Sequence, residues 1–293
     1  MESPIIRKGV LYLCATPIGN LSDISQRVLS TLSEVDLIAA EDTRNSRSLL
    51  THYGIRTPMT SYHEHNKVDK GKELVRRLSS GESIALITDA GTPVISDPGE
   101  LLVRMCNEAG IRVTSLPGAS ALILALSLSG LPARRFVFEG FLPSATEDKR
   151  ERAEVLDSLS REPRTIILYE APHHLVRTLT DLHEALGDRR ITICRELTKR
   201  FEEIIQTTLT GAMDRYGEER EEPRGEFVLV IDGFDVRSQR LREQEELRTL
   251  DLDEHMRFYE EQGYSRKEAM KRVAADRGLG KSKIYDQLIH SGS

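Results

Sequence analysis

The 293-residue chain has no tryptophan, and aromatic residues make up only 5% of it. A platform of aromatic side chains for stacking bases is therefore not expected. The three cysteines, Cys14, Cys106 and Cys194, are odd in number and far apart, each in an apolar context. They suggest neither a disulfide framework nor a metal site, and read as buried thiols of a protein kept in the reducing cytoplasm. Residues 1–8 lack the apolar core of a signal peptide. The longest apolar stretch, near 119–128, is too short and too interrupted by serine to span a membrane. Neither G-x-G-x-x-G nor G-x-x-x-x-G-K-[ST] occurs, which argues against dinucleotide dehydrogenases and P-loop NTPases. With a net charge of −6 there is no global attraction to phosphates, so any nucleic-acid contact has to come from a local patch.

Along the first 116 residues, strand and helix patterns alternate. Strands are expected at 9–15, 35–40, 59–61, 84–88 and 112–115, with helices at 24–32, 46–53, 70–79 and 101–109. Such alternation gives a parallel sheet covered on both faces. The second half opens on an apolar, small-residue helix at 120–129. Strand-like runs follow at 136–140, 165–169, 191–195, 203–209 and 226–231. The late strands lack helices between them in this reading, which predicts a mixed, partly antiparallel sheet. Beyond Gly233 the strand signal ends. Helices at 268–277 and 282–289 flank Gly278-Leu279-Gly280 in a helix-turn-helix outline. Residues 263–293 carry seven Lys/Arg against three Asp/Glu, whereas 237–262 carry five against eight. The positive end suits phosphates, and the competing reading is a solvated helical cap. The expectation is an α/β chain with domains at 1–116 and 117–235, a helical tail at 236–293, and a ligand cleft where the two domains meet.

Three loops carry the chemistry. Thr16-Pro17-Ile18-Gly19-Asn20 follows the first strand, with Pro and Gly allowing close backbone approach to a ligand. Asp89-Ala90-Gly91-Thr92-Pro93-Val94-Ile95-Ser96-Asp97-Pro98-Gly99 follows the fourth. In open α/β sheets, ligands bind beyond the carboxyl ends of the strands, yet Asp in such turns also caps helices. Both readings stand for this loop. Leu116-Pro117-Gly118-Ala119-Ser120-Ala121 sets a tight turn before a helix, whose first amides and Ser120 suit a carboxylate or hydroxyl.

These loops, together with Ala40-Glu41-Asp42-Thr43-Arg44, Tyr169-Glu170-Ala171-Pro172-His173, Arg195-Glu196-Leu197-Thr198-Lys199 and Gly225-Glu226-x-Val228-Leu229-Val230, occur in order over residues 9–233. In this combination the chain resembles the small-subunit ribosomal RNA methyltransferases of the tetrapyrrole-methylase-like S-adenosylmethionine (AdoMet) enzymes. The resemblance implies two α/β domains of the tetrapyrrole methylase type, AdoMet in their cleft, a homodimer, and 2′-O-methylation of a cytidine in the decoding region of small-subunit ribosomal RNA. By position it implies a cofactor site made of Thr16, Pro17, Ile18, Asp89, Ala90, Gly91, Thr92, Pro93, Ala119, Ser120, Ala121, Tyr169, Leu197, Gly225 and Glu226.

A ribose hydroxyl is a poor nucleophile, and a general base helps it. Glu41, Asp42, Glu170 and Lys199 are candidates near the expected cleft, with Asp42 or Glu41 favoured for orienting substrate. Arg44, Lys199, Lys281 and Lys283 are the candidate contacts to the RNA or the assembled subunit. Each also has the plain reading of an ion pair or helix cap. His63 and His65 lack a third ligand, so no metal is expected. Residues 218–222, Glu-Glu-Arg-Glu-Glu, read as a solvated loop, and no DNA partner is expected. Two alternatives remain: a tetrapyrrole-precursor methyltransferase of the same fold, and a non-catalytic RNA-binding assembly factor.

Overall fold

The computed structural model describes residues 6–217, 223–235, 247–280 and 284. The expected second tail helix at 282–289, Lys281, Lys283 and the 218–222 run lie outside the described residues. Residues 1–233 pack as one compact unit containing two sheets, and 234–293 as a second.

The first sheet is built from β1 (Val10–Cys14), β2 (Leu37–Ala40), β3 (Met59–Ser61), β4 (Ile84–Ile87) and β5 (Arg112–Leu116). All pairings are parallel, in the order β3-β2-β4-β1-β5. The apolar runs of β1, β2 and β4 are short, β-branched in part and buried, as strands covered on both faces must be. Alternate residues serve opposite faces. Val10, Tyr12, Cys14, Ile38 and Ala40 pack against Val28 and Leu32 of α1 (Gln26–Glu34) and Leu50 of α2 (Thr43–His52). Leu11, Leu37, Ala39 and Leu86 pack against Leu74 and Leu78 of α3 (Lys67–Ser79) and Leu102 of α4 (Gly99–Glu108). Hence β1 leads into a helix on one face, while its neighbour β4 leads into a helix on the other. The chain leaves the carboxyl ends of these adjacent strands in opposite directions, which opens a crevice there.

The second sheet contains β6 (Phe136–Phe141), β7 (Thr165–Glu170), β8 (Arg190–Arg195), β9 (Glu203–Thr208) and β10 (Phe227–Ile231), in the order β6-β7-β10-β8-β9. Only β6 and β7 are parallel, so the sheet is mixed as expected. The expected absence of helices between the strands is corrected. Helices α6 (Lys149–Ser160), α7 (Leu175–Leu186) and α8 (Leu209–Tyr216) cover one face, through Leu159, Leu175, Leu179, Leu182 and Leu209. The other face receives α5 (Ala121–Ser129), whose Leu122, Ala125 and Leu126 join a cluster with Ile167, Cys194 and Val228. Ile18, from the turn after β1, belongs to the same cluster and couples the two sheets.

In the second unit, α9 (Leu252–Glu261) and α10 (Arg266–Asp276) bury Met256, Ala269, Val273 and Ile284 together. A capping box between Ser265 and Glu268 starts α10 two residues before the expected helix.

Candidate functional site

The crevice is one end of a cavity of about 400 Å³, within the usual range for small-molecule sites. The first sheet contributes Ile18, Glu41 and residues 88–92, followed by residues 95–97. The second contributes Phe141, residues 169–172, Cys194, Leu197 and residues 226–228, with Ser120 and Ala121 at the mouth of α5.

Backbone pairing fixes the first wall. Thr16 donates its amide to Gly91 O (2.9 Å) and accepts the Gly91 amide in return (3.1 Å), while Thr16 Oγ1 donates to Thr88 O (3.0 Å). Gly91 has φ +82°, and an added Cβ would lie 3.2 Å from Ile18 Cγ2. Thr92 Oγ1 donates to Ala119 O (2.9 Å), tying the loop to the entrance of α5. There Gly118 lies so close to β1 that a Cβ would meet Ala15 Cβ at 2.4 Å. Asp97 accepts the amides of Val94 (2.6 Å) and Gly99 (2.7 Å), and so caps α4. Between these anchors, Val94 (φ +82°) and Ser96 (φ +63°) sit in the left-handed region. That region is unfavourable for a β-branched residue above all.

The facing wall is set by ion pairing. Lys199 Nζ donates to Glu196 Oε1 (2.8 Å) and Glu226 Oε2 (3.0 Å), and Glu196 Oε1 also accepts the Glu226 amide (3.0 Å). Burial opposes the Lys199 charge, but these two carboxylates outweigh it and raise its pKa. This network holds a loop with left-handed Glu196 and Thr198, and Leu197 of the same loop lines the cavity. Tyr169 accepts the Leu122 amide (3.3 Å) and packs edge-on to Phe138, while burial raises its phenol pKa.

Five carboxylates line the cavity, Glu41, Asp89, Asp97, Glu170 and Glu226, and among the described residues no Lys, Arg or His does. Glu170 is only 5% exposed and accepts the Ala171 amide (2.7 Å). Burial raises the pKa of Asp97, and the nearby Glu41 charge adds to the effect. A cavity with this charge and apolar patches at Ile18, Phe141 and Leu197 suits a cation on a partly apolar body. The first turn of α5, where Ser120 makes no capping bond, offers amides to an anionic group.

Of the residues expected to hold a cofactor, Ile18, Asp89, Ala90, Gly91, Thr92, Ser120, Ala121, Tyr169, Leu197 and Glu226 line this cavity. Thr16 and Pro17 line a neighbouring groove instead. Pro93 is buried within the loop, Ala119 offers its carbonyl to Thr92, and Gly225 lies against Glu196. Glu41 lines the cavity and accepts the Thr88 hydroxyl proton (2.7 Å). Asp42 is not in the lining. It caps α2 through the Arg44 amide (2.8 Å) and pairs with the Arg44 guanidinium (3.1 Å), which holds its carboxyl below the usual range. Arg44 itself is 90% exposed. Residues 41–44 are therefore a strand end and helix start, and α2 begins three residues before the expected helix. Phe141 and Cys194 line the cavity without any sequence signal that sets them apart from core, whereas Ile95 belongs to the loop already singled out; a cavity wall and a core share the same apolar signal.

A model of the Tetrapyrrole (Corrin/Porphyrin) Methylases matches residues 10–212. The chain is 48% identical over 278 residues to the ribosomal RNA small subunit methyltransferase I of Synechocystis sp., covering 94% of this chain and 96% of that one. With the protein of the same name from Bacillus subtilis it is 44% identical over 279 residues, covering 95% and 93%. The uroporphyrin-III C-methyl transferase of Thermus thermophilus, complexed with S-adenyl homocysteine, shares the fold. Its TM-score is 0.51 at 16% identity, over 76% of this chain and 96% of that one.

Proposed function

The chain belongs to the tetrapyrrole methylase family, in its ribosomal RNA small subunit methyltransferase I group, and from that premise we propose that it methylates small-subunit ribosomal RNA with AdoMet, at the ribose 2′-hydroxyl of a cytidine in the decoding region. The charge of the cavity carries the cofactor part of this reading. AdoMet has a sulfonium and an ammonium against one carboxylate, and burying such a cation is costly without counter-charge. Five lining carboxylates, with no Lys, Arg or His in the lining among the described residues, supply that counter-charge.

When bound, AdoMet supplies a methyl group already activated by its sulfonium. The chain supplies position. The Thr16–Gly91 bridge and the Asp97 turn fix the loop that frames the cavity, and the Lys199 pairs fix the opposite wall. Holding acceptor oxygen and methyl in line contributes up to ~7–11 kcal/mol in favourable cases. Glu41 is the proton acceptor for the ribose hydroxyl in this reading, because it faces the cavity while Asp42 is spent on Arg44. Asp42 keeps a positioning role, since its amide donates to Asp89 Oδ1 (3.3 Å).

Arg44 and the exposed bases of α10, Arg266, Lys267 and Lys271, are the RNA contacts of this account. The exposed apolar residues Ile123, Leu124 and Leu128 on α5 suit a homodimer contact. A ribosomal substrate implies work in the cytoplasm, and among the described residues no helix is long and apolar enough to cross a membrane. Incubating the purified chain with methyl-labelled AdoMet and small subunits or free ribosomal RNA tests the proposal. Label recovered in 2′-O-methylcytidine after digestion is expected, and label confined to a base, or none, contradicts it.

A further inference from the structure

Beside the cofactor cavity lies a second groove of about 330 Å³, between the turn after β1 and helix α2. Its floor is Thr88 and Asp89, which also line the cofactor cavity. The two spaces therefore adjoin at Thr88 and Asp89. Tyr53 braces the outer wall by donating its hydroxyl to Leu21 O (2.5 Å). The facing wall is α2, through Asn45, Ser48 and His52.

Among the described residues the charged groups that line the cofactor cavity are all carboxylates. The groove shares one of them, Asp89, but its α2 wall contains no acidic residue, and α2 exposes Arg44 and Arg47 outside the groove's lining and His52 within it. Residues 44, 48 and 52 follow one another at i, i+4 spacing and so share one helix stripe, with Arg47 a turn from Arg44. A cationic methyl donor and a polyanionic acceptor need opposite environments side by side. Here the positive side is supplied by the exposed Arg44 and Arg47 of α2, next to the groove and not in its lining.

Asp89 links the two. Its carboxylate accepts from Asn45 Nδ2 (3.1 Å). With Oδ1 as an acceptor and the second Nδ2 hydrogen as a donor, Asn45 can meet an exocyclic amine or a carbonyl on the edge of a base. The His52 ring, braced edge-on by Tyr53 at 4.8 Å, gives a flat surface at the rim. We propose that this groove receives the target nucleoside, turned out of the RNA, with its flanking phosphates on Arg44 and Arg47. The proposal rests on the reading of the chain as an AdoMet-dependent RNA methyltransferase. Enzymes acting on a single nucleotide commonly extrude it into such a pocket.

The test uses the full chain and two substitutions at exposed α2 positions. Ser48→Trp fills the groove, and Arg47→Glu reverses one charge beside it. AdoMet affinity is measured by calorimetry, transfer to small-subunit RNA by kinetics, and RNA affinity by titration over a range of salt. Both variants are expected to bind AdoMet as the parent does. Ser48→Trp loses methyl transfer. Arg47→Glu raises KM for RNA about tenfold with little change in kcat, and lowers the salt slope of RNA binding by about one. Parental transfer kinetics in both variants overturn the groove and leave the RNA methyltransferase reading standing. If the parent transfers no methyl to RNA, that reading fails, and RNA affinity decides the groove. Weaker binding by the variants supports it, and unchanged or absent binding overturns it. If Ser48→Trp does not fold, Arg47→Glu decides alone.

Discussion

Glu41 and Asp42 are adjacent carboxylates at one strand end, and the structure gives them different work. Glu41 faces the cavity and takes the Thr88 hydroxyl, while Asp42 caps α2 and pairs with Arg44. Glu41→Gln is therefore expected to lower kcat by about 10²–10⁴-fold in single-turnover assays. Asp42→Ala is expected to lower the melting temperature and to affect kcat less. Gly91 makes a sharper demand. With φ +82° and Ile18 beside it, Gly91→Ala should cost about 1–2 kcal/mol in denaturant unfolding. It should weaken AdoMet binding in calorimetry as well, because Gly91 lines the cavity. The sequence placed both carboxylates near the site and left an ion pair or helix cap open for each, and only the structure divides their roles, with Asp42 as the cap. Phe141 was not legible for another reason: apolar residues that line a ligand cavity look like those that fill a core.

At the level of elements, the parallel sheet was legible because β1, β2 and β4 are short buried runs separated by amphipathic helices. Helix starts were less so. Asp42 and the Ser265–Glu268 box begin α2 and α10 earlier than the apolar period suggested. Thr207 and Thr208 do end β9, but Leu209 does not extend it, because Thr208 Oγ1 accepts the Gly211 amide (3.3 Å) and starts α8. In the tail, His255 is fully buried. Its Nδ1 accepts Arg277 Nε (3.2 Å), so its Nε2 carries the proton toward Asp276 (3.3 Å). Burial lowers its pKa, Arg277 adds to this, and Asp276 opposes it. A histidine with a depressed folded pKa binds its proton more readily when unfolded. Its contribution to stability is therefore present above about pH 6.5, the ordinary value, and is lost as pH falls below it. Hydrogen exchange across 252–276 in the full chain should speed up between pH 7.5 and 5.5, after correction for intrinsic rates. The acceleration should be smaller in His255→Gln.

For the molecule as a whole, the chain order of strands was legible and their spatial order was not. The arrangement β3-β2-β4-β1-β5 places β4 beside β1 through crossovers that packing selects, and that adjacency creates the crevice. The charge division was visible in part, since the basic excess of residues 263–293 can be counted, while the acidic lining of the cavity is assembled from distant segments. Residues 1–233 carry their own cores and both cavities. Removing 234–293 should therefore leave AdoMet affinity intact in calorimetry. RNA binding should weaken and its dependence on salt should flatten. The modified nucleotide decides what the molecule does. Mass spectrometry of small-subunit ribosomal RNA, from cells with and without this chain, measures it directly. Loss of one 2′-O-methylated cytidine in the decoding region, restored by the intact chain and not by Glu41→Gln, is the predicted result. Unchanged ribose methylation in its absence would contradict the account.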